Sequence, residues 1–283
     1  MEPSVAELRL PDRLLMGPGP SETHPRVLDA FGTPPVGHLD PAFIDVMDDT
    51  QRLLRTTLGT DNEWTIPVSG TGSAAMEAAI GNLVEPGETA VVPGNGYFGD
   101  RMAEMVRRAG GTAVQVETPW GEPLDPADVR EACAEHDPAV VGIVHAETST
   151  GVRQSEMSAI TDAAHDHGAL VVADCVTSIG GVEFRMDEWG VDAAYAASQK
   201  CLSCPPGASP LSVNDRAMDK ILDRDEPVRS WYLDLSLLDD YWGEERAYHH
   251  TAPVNNVYAL REALRLVDEE GVENRWRRHE RYA

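Results

Sequence analysis

The chain has 283 residues, with 48 Asp+Glu against 23 Lys+Arg and a formal net charge of −25. Hydrophobic residues make up 42% and charged residues 25%, which excludes wholesale disorder and leaves room for one large α/β domain or two small ones around a proper core. So acidic a chain argues against nucleic acid as a partner, and no apolar run approaches the length needed to span a bilayer.

The opening residues, MEPSVAELRLPDRLLM, have no basic stretch followed by an apolar one, so no secretory leader is expected and the cytoplasm is the expected location. Residues 1–64 are rich in turn signals (Gly17-Pro18-Gly19-Pro20, Thr33-Pro34-Pro35) and hold one good helix, about 41–58. They read as an arm and helix packed on the main domain or on a partner. From about residue 65 the pattern alternates. Strands are predicted at 65–68, 89–93, 112–117, 139–145, 169–174, 193–198 and 209–213, and helices at 73–84, 98–109, 126–136, 155–167 and 215–223. Continuously apolar strands alternating with helices predict an α/β domain, a mostly parallel sheet covered on both faces. Ligands of such sheets sit past the carboxyl ends of the strands, here 69–73, 94–99, 145–151, 174–177 and 198–200. A last helical pattern runs from about Val254 through Leu260, Leu264 and Val267 to Trp276.

Three constellations fall at those strand ends. Ser69-Gly70-Thr71-Gly72-Ser73 joins a strand to a helix, as a phosphate cradle does, or as an ordinary N-cap does. Residues 94–99 form a GxGxxG before a helix, with Glu117 ending the next strand, as NAD binding requires; against it, Tyr97 and Phe98 are bulky where a pyrophosphate would approach. The third is Asp174, at the end of an apolar strand, with Ala196-Ala197-Ser198-Gln199-Lys200 after the next. Only Lys200 and Lys220 are lysines; the other 21 basic residues are arginines. Arginine supplies charge but forms no Schiff base, so a lysine kept at a strand end points to imine chemistry. An acid beside such a lysine matches the needs of pyridoxal phosphate. Lys220, in a polar helix, reads as surface. Cys201 and Cys204 form a CxxC without a second ligand pair, and Pro205-Pro206 follow directly, which fits neither a zinc site nor a redox helix. The acidic, lysine-poor composition is that of proteins from salt-saturated cytoplasm, where salt screens the repulsion of the carboxylates.

Together these segments resemble the class V pyridoxal-phosphate aminotransferases, in particular the alanine–glyoxylate/serine–pyruvate group. The matching stretches are Pro18-Gly-Pro20, SGTGS (69–73), GNGYFGDR (94–101), HAETSTG (145–151), VVADCVTSIGG (171–181), SQKCLSCPPG (198–207) and YHHTAPVNNVYALREAL (248–264). The resemblance implies fold type I, with a large cofactor-binding domain over 65–252. Residues 253–283 would begin an interdomain helix leading to a small domain, which carries the family's carboxylate-binding arginine and is not in this sequence. It implies pyridoxal 5′-phosphate bonded to Lys200, with Asp174 at the pyridine nitrogen, Phe98 stacked on the ring and Val176 beneath it. Thr71, Gly72, Ser73 and Gln199 would serve the phosphate and Thr148 the O3′ side. Tyr248 and Thr251 would reach the phosphate of the neighbouring subunit of a homodimer. Alanine or serine would give its amino group to glyoxylate or another 2-oxo acid. The alternatives are a truncated, impaired paralogue that binds the cofactor or pairs with a partner, and the NAD reading of 94–99. Cysteine desulfurases place a His before the lysine, where Gln199 stands here, and need a mobile Cys that is not found beyond it; aminoethylphosphonate transaminases lie closer.

Overall fold

A computed structural model describes residues 5 and 7–282. Residues 1–4 and Ala6, in the expected arm, and Ala283, at the end of the expected interdomain helix, lie outside the described residues.

Two helices precede the sheet, α1 (Pro25–Phe31) and α2 (Pro41–Leu58). Each opens with a proline behind a capping side chain: His24 accepts from the Arg26 N–H, and Asp40 from the Ala42 N–H. The alternation follows: β1 (Thr65–Gly70), α3 (Gly72–Leu83), β2 (Thr89–Val91), α4 (Tyr97–Ala109), β3 (Thr112–Val114), α5 (Pro126–His136), β4 (Val140–Val144), the short hairpin β5 (Ala146–Glu147) and β6 (Val152–Arg153), α6 (Met157–His165), β7 (Leu170–Asp174), β8 (Ala193–Tyr195), β9 (Gly207–Val213) and α7 (Asp215–Leu222). A 3-10 turn at Trp231–Leu233 leads into α8 (Leu235–Trp242), and the chain closes with α9 (Val254–Glu270) and α10 (Val272–Tyr282). The single helical pattern expected to run to Trp276 is thus broken at Gly271, whose φ of 80° no ordinary helical residue adopts.

The main sheet has the order β1-β9-β8-β7-β4-β2-β3. It is parallel except that β9 runs antiparallel to both β1 and β8. Alternate residues of the central strands enter opposite cores: Val140, Val144, Leu170 and Val172 on one face, Val141, Ile143, Val171 and Ala173 on the other. The sheet is therefore covered on both sides, as its unbroken apolar strands require. In register, Asp174 at the end of β7 lies beside Tyr195 at the end of β8. This places the acid, and the turn carrying Lys200, at the carboxyl ends of two interior strands. Helices α1 and α2 pack on α9, and Arg26 bridges to Glu262 and Glu269 at 2.7 and 2.8 Å. The arm then returns to the strand ends: the Ser21 N–H donates to the Gln199 carbonyl (2.8 Å) and its hydroxyl to that of Lys200 (2.7 Å). Among the described residues no helix is long and apolar enough to cross a membrane.

Candidate active site

Asp174 is 3% exposed and meets two neutral donors, the Val176 N–H (2.9 Å) and the Tyr195 hydroxyl (2.9 Å). No cation reaches within 4.0 Å of it among the described residues. Burial, only partly offset by those two hydrogen bonds, raises its pKa to about 6. Lys200 lies in the turn after β8, and its Nζ donates to the Pro18 carbonyl at 2.9 Å. Gly19 makes this approach possible: a Cβ there would sit 2.5 Å from Nζ. Lys200, Thr148, Glu147, Thr177 and the 17–19 turn line a cavity of about 470 Å³.

At the neighbouring strand end, Thr71 is the N-cap of α3 but makes no side-chain capping bond. The Ser73 hydroxyl accepts from Arg101 Nη1 (3.1 Å). The first N–H groups of a twelve-residue helix are thus left without a side-chain cap, which is not the ordinary N-cap that the sequence also allowed. Gly72 lets this turn lie against the sheet, since a Cβ there would come 3.0 Å from Ala197 Cβ and 3.3 Å from Val176 Cγ2. Residues 71–73, Val176 and Ala197 are therefore brought together.

The GxGxxG at 94–99 does other work. The N–H groups of Tyr97 and Phe98, the first of α4, are taken by Ser149 Oγ (2.9 Å) and Glu147 Oε2 (3.0 Å). Gly96 is required because a Cβ would collide with the Glu147 side chain. That helix start is already occupied by a carboxylate of the protein and has no place for a pyrophosphate. Instead it fixes Phe98 in the first turn of α4, half-buried against the core.

Tyr248 and Thr251 stand apart. Tyr248 is 61% exposed, with its ring against His38. Among the described residues, no hydrogen bond joins either to 71–73 or 198–200. Between them runs a chain of hydrogen bonds. His249 Nε2 meets the Trp231 carbonyl (3.3 Å), Nδ1 of His249 meets Nδ1 of His250 (2.8 Å), and Nε2 of His250 meets Ser69 Oγ (2.6 Å). A carbonyl only accepts, so with both rings neutral every donor follows: His249 Nε2 to Trp231, His250 Nδ1 to His249, and the Ser69 hydroxyl to His250. Burial and the facing His249 lower the His250 pKa to about 4, which keeps it neutral. Cys204 is buried, its thiol pKa raised to about 12; burial likewise raises that of Cys201, whose Sγ faces the Thr177 carbonyl.

Sequence reasoning passed over Tyr195, Glu147 and Arg101. Tyr195 reads as a core aromatic until the register sets it beside Asp174. Glu147 is a single acid in a turn. Arg101 is one arginine among 21.

Comparison with known proteins bears directly on this arrangement. The profile of the family described as Aminotransferase class-V matches residues 15–283. The (S)-ureidoglycine–glyoxylate transaminase of Bacillus subtilis is 41% identical, with 96% of this chain and 70% of that protein aligned. The alanine–glyoxylate aminotransferase of Rattus norvegicus is also 41% identical, over 96% of this chain and 66% of that protein. The crystal structure of an alanine–glyoxylate aminotransferase from Nostoc sp. superposes with a TM-score of 0.96 at 51% identity, covering 98% of this chain and 73% of that one. The chain thus spans about two thirds of the length of these curated relatives. It belongs to the class-V aminotransferase family, and its cofactor is pyridoxal 5′-phosphate. The residues present fit that group. A buried carboxylate lacking a cation suits a pyridinium, an uncapped helix start suits a phosphate, and Gln199 Oε1 is buried without a partner beside Lys200.

Proposed function

We propose that this chain is the cofactor-binding part of an aminotransferase that passes the amino group of a small amino acid, alanine or serine, to glyoxylate or another 2-oxo acid. Support comes from the relatives: those cited are named for glyoxylate in common, with ureidoglycine or alanine as the donor. The observation that carries the reading is that Asp174 ends β7 while the turn bearing Lys200 follows the adjoining β8; among the described residues no cation lies within 4.0 Å of the acid, and the Lys200 amine donates to a backbone carbonyl. Bound at Lys200, pyridoxal phosphate supplies an electron sink for loss of the substrate Cα proton. Lys200 Nζ takes and returns that proton. Asp174 would keep a positive charge on the ring nitrogen, and the Tyr195 hydroxyl fixes the carboxylate by donating to it. Phe98 and Val176 would hold the ring, and Glu147 fixes Phe98 by accepting from the Phe98 backbone N–H. Residues 71–73 and Gln199 seat the phosphate, and Thr148 the O3′ side.

In this reading the molecule is a homodimer, with Tyr248 and Thr251 completing the neighbour's phosphate site. The exposure of Tyr248, Trp231 and Tyr232, at 61%, 60% and 42%, supports an aromatic surface awaiting a partner. The domain limits are 1–64, 65–252 and 253–283, and the setting is a saline cytoplasm, supported by the charge of −25. The test is reconstitution of the full chain with pyridoxal phosphate in concentrated KCl, followed by borohydride reduction and peptide mass analysis. The expected adduct is on Lys200. Folded protein with no visible absorbance, or an adduct on Lys220, would overturn the reading. Bleaching of that absorbance by alanine and its recovery with glyoxylate would establish transfer. An adduct without bleaching would leave a cofactor-binding paralogue.

A further inference from the structure

We infer that Arg101 is the cation facing the cofactor phosphate, stacked in place by the aromatic pair at the start of its own helix. The inference rests on the reading that residues 71–73 seat that phosphate. A phosphate monoester carries close to two negative charges near neutral pH. The cradle at 69–73 contains no charged side chain, and a helix N-terminus offers about half a charge. Nearby the fold already buries two acids, Asp174 (3% exposed) and Glu147 (1%). In a chain of net charge −25, a further dianion there needs a cation.

Arg101 is placed for that task. Its Nη1 donates to Ser73 Oγ at 3.1 Å. Its guanidinium carbon stands 4.9 Å from the Phe98 ring centroid and 5.1 Å from that of Tyr97. Stacking on two rings fixes the guanidinium without neutralising it. Among the described residues no carboxylate lies within 4.0 Å of it, although acids outnumber bases two to one. Arg108, two turns along the same helix, does pair with an acid, Glu104, at 2.8 Å. An anion seated at Ser73 adjoins the guanidinium because the Ser73 hydroxyl already touches it. The remaining N–H groups of Arg101 then offer charge-assisted hydrogen bonds.

The test compares pyridoxal phosphate with pyridoxal, which lacks the phosphate, in wild type, Arg101→Gln and Arg101→Lys. Dissociation constants are read from visible absorbance. The expected result is that R101Q weakens pyridoxal phosphate about tenfold or more and pyridoxal less than about twofold, that R101K recovers part of the loss, and that the difference shrinks as KCl rises. In 31P NMR the bound phosphate should stay dianionic to lower pH in wild type than in R101Q. Equal weakening of both compounds would mean a disturbed Phe98 and overturn the inference, as would an unchanged constant for pyridoxal phosphate. Failure of wild type to bind either compound at Lys200 would instead overturn the cofactor-site reading on which it rests.

Discussion

Two adjoining strands carry a buried aspartate at opposite ends, Asp174 closing β7 and Asp192 just before β8, and the sheet treats them in opposite ways. Asp192, just before β8, is 1% exposed. It accepts from the Val171 N–H (2.7 Å), His165 Nε2 (2.8 Å) and Asn214 Nδ2 (3.0 Å), with Arg216 at 3.6 Å. Asp174, at the carboxyl end of β7, is 3% exposed and has two neutral donors. Burial of a carboxylate is costly unless it is paired and hydrogen-bonded. At the amino end of the sheet the protein meets that cost within itself. At the carboxyl end no cation lies within 4.0 Å among the described residues, and burial raises the Asp174 pKa instead, which is what the proposed cofactor role uses. The difference separates a carboxylate that holds the fold from one that waits for a ligand, although the two look alike in sequence.

Substitution should break this symmetry in a definite order. Asp174→Asn should slow the bleaching of bound cofactor by alanine about 10³-fold, roughly 4 kcal/mol of transition-state stabilisation, while circular dichroism stays that of wild type; a loss below tenfold would contradict the role given to the acid. Asp192→Asn should do the reverse, costing about 3 kcal/mol in urea unfolding because three donors lose a charged acceptor, with cofactor spectra unchanged. The pH dependence sharpens the contrast. The Asp174 pKa rises from 3.8 unfolded to about 6 folded, so the folded state binds the proton more tightly. Its contribution to stability is full below pH 3.8 and is lost as pH rises through 6. Without cofactor, Asp174→Asn should therefore exceed wild type in stability by about 2–3 kcal/mol at pH 8, and the gap should close towards pH 4. A pH-independent gap would show that ionisation is not its origin. The smallest effect is expected for Tyr195→Phe, which removes one hydrogen bond, about 1 kcal/mol, and should raise the Asp174 pKa further, seen as a shift in the pH profile of cofactor absorbance.

Much of the frame was legible. All seven strands of the main sheet fall within a few residues of the predicted runs, most plainly β4 and β7, whose burial on both faces leaves no polar alternation to confuse them. The direction of β9 was hidden, since a buried strand reads alike either way. Helix α1 was missed because it has seven residues and buries only Val27; packing on α9 and the Arg26 ion pairs hold it. Helix α8 was missed because its acids, Asp239 and Asp240, follow its leucines and blur the period. Lys200 and Asp174 stood out because a rare residue and a buried charge are exceptions to composition. Tyr195, Glu147 and Arg101 are ordinary residues brought to the proposed site by neighbours from other strands and turns, which no local pattern encodes.

The scarcity of lysine has a practical corollary. Lys220 is locked in an ion pair with Glu88, while Lys200 faces a cavity and a backbone carbonyl. Reagents that attack amines, such as reducing sugars, aldehydes and succinimidyl esters, therefore find hardly any side-chain target outside the cavity at Lys200. A probe bearing such a group would report on that cavity almost alone. A single lysine blocked by saturating cofactor would turn mass labelling into a direct count of vacant sites.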